Sequence, residues 1–206
     1  MCSSLPSYPI NSAVQAASAL IDDAPLICGG NKPGHVRVSE CYYHDIISNQ
    51  WKLVGNMIYN SNSGRGKGSG TSFNGKLWAV GGHGSQGSRK DIDIIDLEGI
   101  TTGPTLPYGD ENLCVVALND NELMIIGGEG HLKNTLIYNQ ETNDFTDGPT
   151  MNANEHTYGA CTTFQSPMHE NRMVVMSIGY QSGKDVAELL DYTQENAQWT
   201  IGKSFE

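Results

Sequence analysis

One short pattern, an apolar run that closes on a pair of glycines, recurs through the chain at a nearly fixed interval. It occupies residues 26–30, 77–82 and 123–128, and a degenerate fourth copy at residues 173–180 has Ile178 where the first glycine is expected. Counted between corresponding glycines, successive copies lie 52, 46 and 51 residues apart. A period of about 50 residues, with one supersecondary unit per copy, is typical of propellers and solenoids. The sequence therefore predicts a repeat fold.

Each copy continues in the same way after its glycines. Polar residues lead to a short apolar strand, then to a turn and, in three of the copies, to a Trp or Phe. These aromatic residues are Trp51, Phe145 and Trp199, whereas the second copy has Ile100 and Thr101 at this point. The pattern resembles the kelch repeat, and the resemblance covers approximately residues 13–199.

The resemblance implies an all-β protein, a kelch-type β-propeller of about four blades in which each blade is a four-stranded antiparallel sheet. Kelch propellers usually have six blades, so the chain is expected to be either a small closed ring or an incomplete propeller. The repeat phase predicts a flexible N-terminal segment at residues 1–12, followed by one kelch-repeat propeller domain at residues 13–206. The approximate blades are residues 13–57, 58–107, 108–151 and 152–206.

Repeat phase and local composition disagree in two stretches. Residues 60–70 are rich in Gly and Ser, as in a linker, but they fall where one blade passes to the next. Residues 185–192 contain good helix formers, but they fall where the third strand of a blade is expected. We expect the repeat to prevail in both places.

The glycine pairs and several aromatic residues are expected to have structural roles. Glycine tolerates positive φ and close backbone approach, so a pair can turn the chain at the end of a strand without strain. Large aromatic side chains fill the space between neighbouring sheets. The residues assigned to these roles are Gly29, Gly30, Gly81, Gly82, Gly127, Gly128, Gly179, Tyr43, Trp51, Tyr138 and Trp199.

The charge balance limits the classes of partner. Among 206 residues the chain has 12 Lys and Arg against 23 Asp and Glu, a formal net charge of −11, which disfavours nucleic-acid binding. No run of about 18 apolar residues is present, so no membrane span is expected. The N-terminal residues lack a secretory signal pattern, and no glycosylation sequon occurs, so a cytoplasmic location is expected for the chain as written.

The five cysteines include one pair, Cys28 and Cys41, that adjacent antiparallel strands could bring within bridging distance. Two interpretations remain open. In the first, the pair consists of two buried free thiols, which pack as small apolar groups. Alternatively they form a structural disulfide, which would imply a secreted kelch protein or a fragment of one, with an N-terminus truncated here.

The loops offer the best candidate for a binding surface. In a propeller, the loops between the second and third strands of each blade and the loops between blades emerge at the same end. The first kind are long and polar here, at residues 31–38, 83–90, 129–134 and 180–185. Their Lys and Arg could form a local cationic spot for an acidic peptide, since Arg pairs with carboxylates through two hydrogen bonds. The candidate partner-binding residues are Lys32, His35, Arg37, Arg65, His83, Gln86, Arg89, Lys90, Glu129, His131, Lys133, His156, Gln181 and Lys184.

The sequence thus predicts a non-catalytic module that binds a protein or peptide, with self-association expected if the propeller is incomplete. No catalytic, cofactor-binding or metal-ligating set is identified. The alternative is a kelch-fold metalloenzyme, galactose oxidase-like or other. His83 and His131 each follow a glycine pair, so they could approach a metal near the channel axis.

Overall fold

The computed structural model describes residues 6–10, 14–58, 65–152, 157–170, 172–180 and 186–202. The chain divides into two compact units, Met1–Thr105 and Leu106–Glu206. This division falls close to the predicted boundary between the second and third repeats. Each unit is described separately below.

Unit 1 contains two four-stranded antiparallel sheets and two small hairpins. Its strands are β1 (Ala17–Ile21), β2 (Ala24–Cys28), β3 (Asn31–Lys32), β4 (Val36–Arg37), β5 (Glu40–Asp45), β6 (Gln50–Asn56), β7 (Ser69–Phe73), β8 (Lys76–Val80), β9 (His83–Gly84), β10 (Gly87–Ser88), β11 (Ile92–Ile95) and β12 (Ile100–Thr102). The first sheet has the order β1-β2-β5-β6, and the second has the same connectivity, β7-β8-β11-β12. The minor strands pair as β3 with β4 and β9 with β10.

Unit 2 contains the two remaining four-stranded sheets. Its strands are β13 (Cys114–Ala117), β14 (Glu122–Ile126), β15 (Thr135–Asn139), β16 (Asp144–Asp147), β17 (Thr157–Ser166), β18 (Arg172–Tyr180), β19 (Val186–Leu190) and β20 (Thr200–Ile201). Their orders are β13-β14-β15-β16 and β17-β18-β19-β20. All pairs in these sheets are antiparallel. The third strand expected within residues 185–192 is found as β19, which ends at Leu190, in spite of the helix-forming composition of this stretch.

The tight turns follow from residues that accept a left-handed backbone. Asn74 and Gly75 have φ values of 51° and 70°, as a type I′ turn requires, and they join β7 to β8. Asn49 and Asn143, each at positive φ, occupy the turns between the third and fourth strands of their sheets. Asparagine tolerates this region better than most residues, so these turns set the pairing register locally.

The core of unit 1 lies between its two sheets. Ala17, Ile21 and Leu26 of the first sheet meet Leu77 and Ile95 of the second, and all five are almost fully buried. In unit 2 the corresponding core includes Val116 and Ile126 from one sheet, Val175 and Leu190 from the other, and Trp199, which directly precedes β20. Burial of apolar area between paired sheets is the main stabilising contribution in both units.

A buried carboxylate links the two sheets within each unit. Asp93 on β11 accepts a hydrogen bond from the backbone N–H of Ile58, which follows the first sheet, at 3.2 Å. Glu188 on β19 accepts one from the backbone N–H of Asn152, which follows the third sheet, at 2.9 Å. Asp93 is 0% and Glu188 2% exposed, so each satisfies an N–H that would otherwise lack a partner at a sheet boundary.

Among the described residues there are two disulfides, one in each unit. Cys28 and Cys41 are direct partners on adjacent strands β2 and β5, with a Cα–Cα distance of 4.1 Å. Cys114 on β13 is bonded to Cys161 on β17, with a Cα–Cα distance of 6.0 Å. The first disulfide therefore lies within one sheet, whereas the second joins the first strands of two different sheets.

Residues 6–10 of the N-terminal segment are described, and they pack against the first sheet. Tyr8 packs edge-on against Tyr42 and Trp51, and the indole N–H of Trp51 donates to the carbonyl of Pro6 at 3.1 Å. Ile10 is 5% exposed. Burial raises the pKa of Tyr8 to about 12. Residues 1–5 and 11–13 lie outside the described residues.

Trp51 and Trp199 consequently occupy different environments. Trp199 is 1% exposed, belongs to the core between the two sheets of unit 2 and donates from its indole N–H to the carbonyl of Pro149 at 2.9 Å. Trp51 is half-buried beneath Tyr8 and beside His44. In the described part of the chain the only helix is the short 3-10 helix Pro167–His169, and no helix there could span a bilayer.

The two disulfides are expected to contribute unequally to stability. Cys114 and Cys161 are separated by 47 residues, and Cys28 and Cys41 by only 13. Chain-entropy arguments then predict losses of about 4 kcal/mol for Cys114→Ala/Cys161→Ala and about 3 kcal/mol for Cys28→Ala/Cys41→Ala. Denaturant unfolding followed by tryptophan fluorescence measures both, and an equal or larger loss for the Cys28–Cys41 pair would contradict the expectation.

Candidate functional site

In unit 1 the loops that follow the glycine pairs fold back as small hairpins. The β3–β4 hairpin pairs with the segment that enters β1 through Val14 and Asn31, and the β9–β10 hairpin pairs with the segment that enters β7 through Gly66 and His83. The two kinds of loop selected from the sequence therefore lie side by side. We call residues 31–38, 65–67 and 83–90 the unit 1 loop surface.

The glycine pairs make this approach possible. Gly82 has a φ of +100°, and a Cβ atom there would lie 2.8 Å from the carbonyl oxygen of Gly66. A Cβ atom on Gly29, whose φ is +70°, would lie 2.6 Å from the carbonyl oxygen of Arg65. Any larger residue would be strained and would push the entering segment away from the loop.

The candidate partner-binding residues separate into groups by burial. His35, Gln86 and Lys90 are exposed, and Lys32, Arg37 and His83 are half-buried on the unit 1 loop surface. In unit 2, Glu129 and Lys133 are exposed and His131 is half-buried. His156, Gln181 and Lys184 lie outside the described residues.

The side chain of Arg65 is buried, so it is not exposed on this surface as the sequence predicted. It is 2% exposed, and its guanidinium donates to the carbonyl of Ala79 at 2.6 Å and lies 2.8 Å from the carboxylate of Asp93. Arg89 is also largely buried, at 9% exposure, and forms an ion pair with Asp91. Both arginines are buried because a carboxylate lies beside each of them. Asp93 on β11 pairs with Arg65, and Asp91, just before β11, pairs with Arg89.

Burial is the largest cause of the pKa shifts of Arg65 and Asp93, which we call the inner pair. Burial lowers the pKa of Arg65, and the attraction of Asp93 opposes this shift. Burial also raises the pKa of Asp93, which the charge of Arg65 and the N–H of Ile58 oppose. Desolvation of both charges is expensive, so the pair fixes an arrangement more than it adds stability.

A cleft of about 460 Å³ opens beside the β9–β10 hairpin. We call it the hairpin cleft. Its lining brings together three candidates from the sequence, Gln86, Arg89 and Lys90. Gly84 lets the guanidinium lie against the hairpin, since a Cβ there would be 2.6 Å from Arg89 Nη1. The complete lining is Gln86, Gly87, Ser88, Arg89, Lys90, Asp91 and Thr105.

Unit 2 contains a different cluster next to its glycine pair. Asp110, which is 1% exposed, contacts the imidazole Nδ1 of His131 through Oδ2 at 2.9 Å. Its Oδ1 accepts backbone N–H groups from Gly130 at 3.0 Å and Glu111 at 2.8 Å. The ring of Tyr108 stacks on His131 with a centroid distance of 3.5 Å. The cluster thus holds one imidazole by its edge and by one face.

Burial, together with the charge of Asp110, raises the pKa of Tyr108 to about 12. The phenol therefore stays neutral at ordinary pH and packs as an aromatic group. Asp110 occupies the repeat position that Arg65 has in unit 1, because Glu111 pairs with Glu129 as Gly66 pairs with His83. One repeat position thus holds opposite charges in the two units.

Several of these residues were not selected from the sequence. Asp93 and Glu188 are acidic residues inside short apolar strands, and that interruption was a usable signal for a buried carboxylate. Asp110 and Tyr108 stand in a proline- and glycine-containing segment with no such signal. Their partner His131 was selected, but only as a loop residue.

Within the described ranges, no three or more His, Cys, Asp and Glu side chains are grouped so that they could hold a metal ion. His83 belongs to unit 1 and His131 to unit 2. In comparisons with known proteins, no family model and no curated protein matched the chain. Function is therefore inferred from the geometry of the loops and clusters.

The Arg65–Asp93 pair gives a sharp test of the electrostatic account. Asp93→Leu leaves a buried guanidinium without its carboxylate and should cost about 3–5 kcal/mol, whereas adding Arg65→Met should recover most of that loss. In the first sheet of unit 2, an apolar residue already occupies the position equivalent to Asp93. This residue is Leu136, which is 2% exposed. Denaturant unfolding of the single and double variants measures the coupling.

An exposed ion pair on the same sheet serves as the control. Lys76 and Asp96 lie 2.9 Å apart with 46% and 33% of their side chains exposed. Lys76→Met should therefore cost less than about 1 kcal/mol. Additive losses for Arg65→Met and Asp93→Leu would show that the two buried residues are independent.

Gly128 is expected to be essential for the His131 cluster. Its φ is +121°, and a Cβ atom would lie 2.4 Å from the carboxyl carbon of Asp110. Gly128→Ala should destabilise unit 2 by more than about 1 kcal/mol, and Gly130→Ala by less, because a Cβ on Gly130 would lie 3.7 Å from the same carboxylate. Thermal unfolding compares the two variants, and equal losses would refute a steric role for Gly128.

Proposed function

We propose that this chain is a kelch-type β-propeller module, complete or partial, that binds a protein or peptide partner through the unit 1 loop surface without catalysing a reaction. The four-stranded antiparallel sheets, each with the same connectivity, are compatible with propeller blades. The resemblance of the glycine-pair pattern to the kelch repeat is the reason for proposing the kelch type.

The hairpin cleft is the observation that carries the proposal. It brings together Gln86, Arg89 and Lys90, and its volume of about 460 Å³ lies within the range of sites that bind small ligands. A space of this size accommodates a few side chains rather than a globular surface. The partner is therefore expected to present a short peptide segment.

The contacts that fix the cleft wall favour a role in binding rather than in catalysis. Arg89 is fixed by its ion pair with Asp91, and its backbone N–H donates to the carbonyl of Gly82 at 2.8 Å. Short hairpins of this kind are held by rigid sheets, so little conformational entropy is lost when a ligand binds. The one carboxylate of the cleft lining, Asp91, is engaged in the ion pair with Arg89.

A peptide library displayed on phage tests this function. We expect the immobilised chain to select binders whose affinity falls about 10-fold in a Gln86→Ala/Lys90→Ala variant, equivalent to the loss of one charge-assisted hydrogen bond. Lys76→Ala is the matched control, because Lys76 begins β8 at the end of the sheet opposite the glycine pair.

A library that yields no binder, or binders unaffected by the cleft variant, would contradict the proposal. Elemental analysis addresses the metalloenzyme alternative separately. Stoichiometric copper, iron or zinc in purified protein, lost on His83→Ala, would replace a binding module by a metal-dependent function.

A further inference from the structure

We infer that the hairpin cleft recognises an anionic oxygen group, a carboxylate or a phosphate, on the bound peptide. This inference rests on the proposed function and names the chemistry of its ligand. It is carried by the net charge of the cleft, the burial and ion pairing of Arg89, and a lining without apolar residues.

The cleft has a positive balance in an acidic chain. Arg89 and Lys90 contribute two positive charges and Asp91 one negative charge, a balance of +1, whereas the whole chain has −11. The inner pair of Arg65 and Asp93 is neutral and leaves this balance unchanged. Lys90 is the exposed cation, so it is the group that an incoming anion meets first.

Arg89 is a largely buried cation in the wall of the cleft. Its side chain is 8% exposed, and Nη2 faces Asp91, whose side chain is 21% exposed. Its buried Nε has no hydrogen-bond partner among the residues that the structure describes. One half-buried carboxylate therefore offsets a guanidinium in the cleft wall, and its positive potential reaches the cleft with little screening by water.

The rest of the lining consists of groups that can donate hydrogen bonds. Gln86 presents an amide, and Ser88 and Thr105 present hydroxyls. No apolar side chain lines the cleft, so an apolar anchor residue would lose water without gaining contact. The one acceptor with a full charge, Asp91, is already paired with Arg89. A cationic ligand would meet a net positive charge in the lining.

Three synthetic heptapeptides test the inference by NMR titration of the isotopically labelled chain. They are identical except at the central residue, which is glutamate, its uncharged isostere glutamine, or phosphoserine. We expect the glutamate or the phosphoserine peptide to shift the amide signals of residues 86–91. The glutamine peptide should bind about 10-fold more weakly or not at all, since the charge-assisted hydrogen bonds are lost.

Variants identify the groups responsible. Lys90→Ala should weaken binding of the anionic peptide about 10-fold, and Lys76→Ala should leave it unchanged. Arg89→Lys retains the charge but loses the planar donors, so it should weaken binding by a smaller factor. Raising the salt concentration from 50 to 200 mM should weaken binding of the anionic peptides alone, as screening requires. The spectra also show whether each variant stays folded.

The outcomes separate this inference from the proposed function. Equal affinity for the glutamate and glutamine peptides, or no binding of either anionic peptide at millimolar concentration, would overturn the inference. If the phage library still selects neutral peptides that require Lys90, the binding function stands and the anionic preference is wrong. Preference between glutamate and phosphoserine identifies which oxygen group the cleft accepts.

Discussion

The close approach of backbone segments at the glycine pairs is the constraint on which the rest of the structure depends. At Gly29, Gly82 and Gly128 the φ angle is positive, and a Cβ atom would collide with a backbone carbonyl or with a buried carboxylate. Because these residues have no side chain, the chain can leave the second strand, form its loop and still contact the segment that enters the first strand of a sheet. That contact places the loops of unit 1 beside one another. It also brings Asp110 against the loop of His131. The glycines therefore position the candidate sites although they contribute no chemistry to them.

Equivalent repeat positions are used for different purposes in the two units. Where unit 1 has Arg65 in a buried pair with Asp93, unit 2 has Asp110 bound to two backbone N–H groups and an imidazole. In both units the buried charge has hydrogen-bonding or ionic partners, since a buried charge without partners would cost much free energy. The scaffold tolerates this exchange because the glycine beside each position leaves room for either side chain. Sequence divergence at such a position changes the adjacent loop while the sheets keep the same connectivity.

Strands, sheet connectivity and several turns could be predicted from the sequence because their signals are local and periodic. The β19 strand shows that repeat phase outweighs helix propensity when a neighbouring strand is available. Contacts between residues distant in the chain carried no such signal. The Cys114–Cys161 disulfide, the packing of Tyr8 on Trp51 and the burial of Arg65 each depend on where a second segment lies. The candidate site was predicted in part: Gln86, Arg89 and Lys90 meet in one cleft, but the ion pairing of Arg89 with Asp91 required the structure.

The disulfide between β13 and β17 has a consequence for proteolysis. It encloses β14, β15 and β16 in a covalent loop, so one backbone cut anywhere between Cys114 and Cys161 leaves a single molecule. The fragments remain joined at the first strands of both sheets of unit 2 and separate only after reduction. In unit 1 the corresponding protection extends only from Cys28 to Cys41, within one sheet. A protease that cuts between β6 and β7 would sever the covalent link between the two sheets there. The two units, whose sheets share one connectivity, thus differ in how well they stay intact after a single backbone cut.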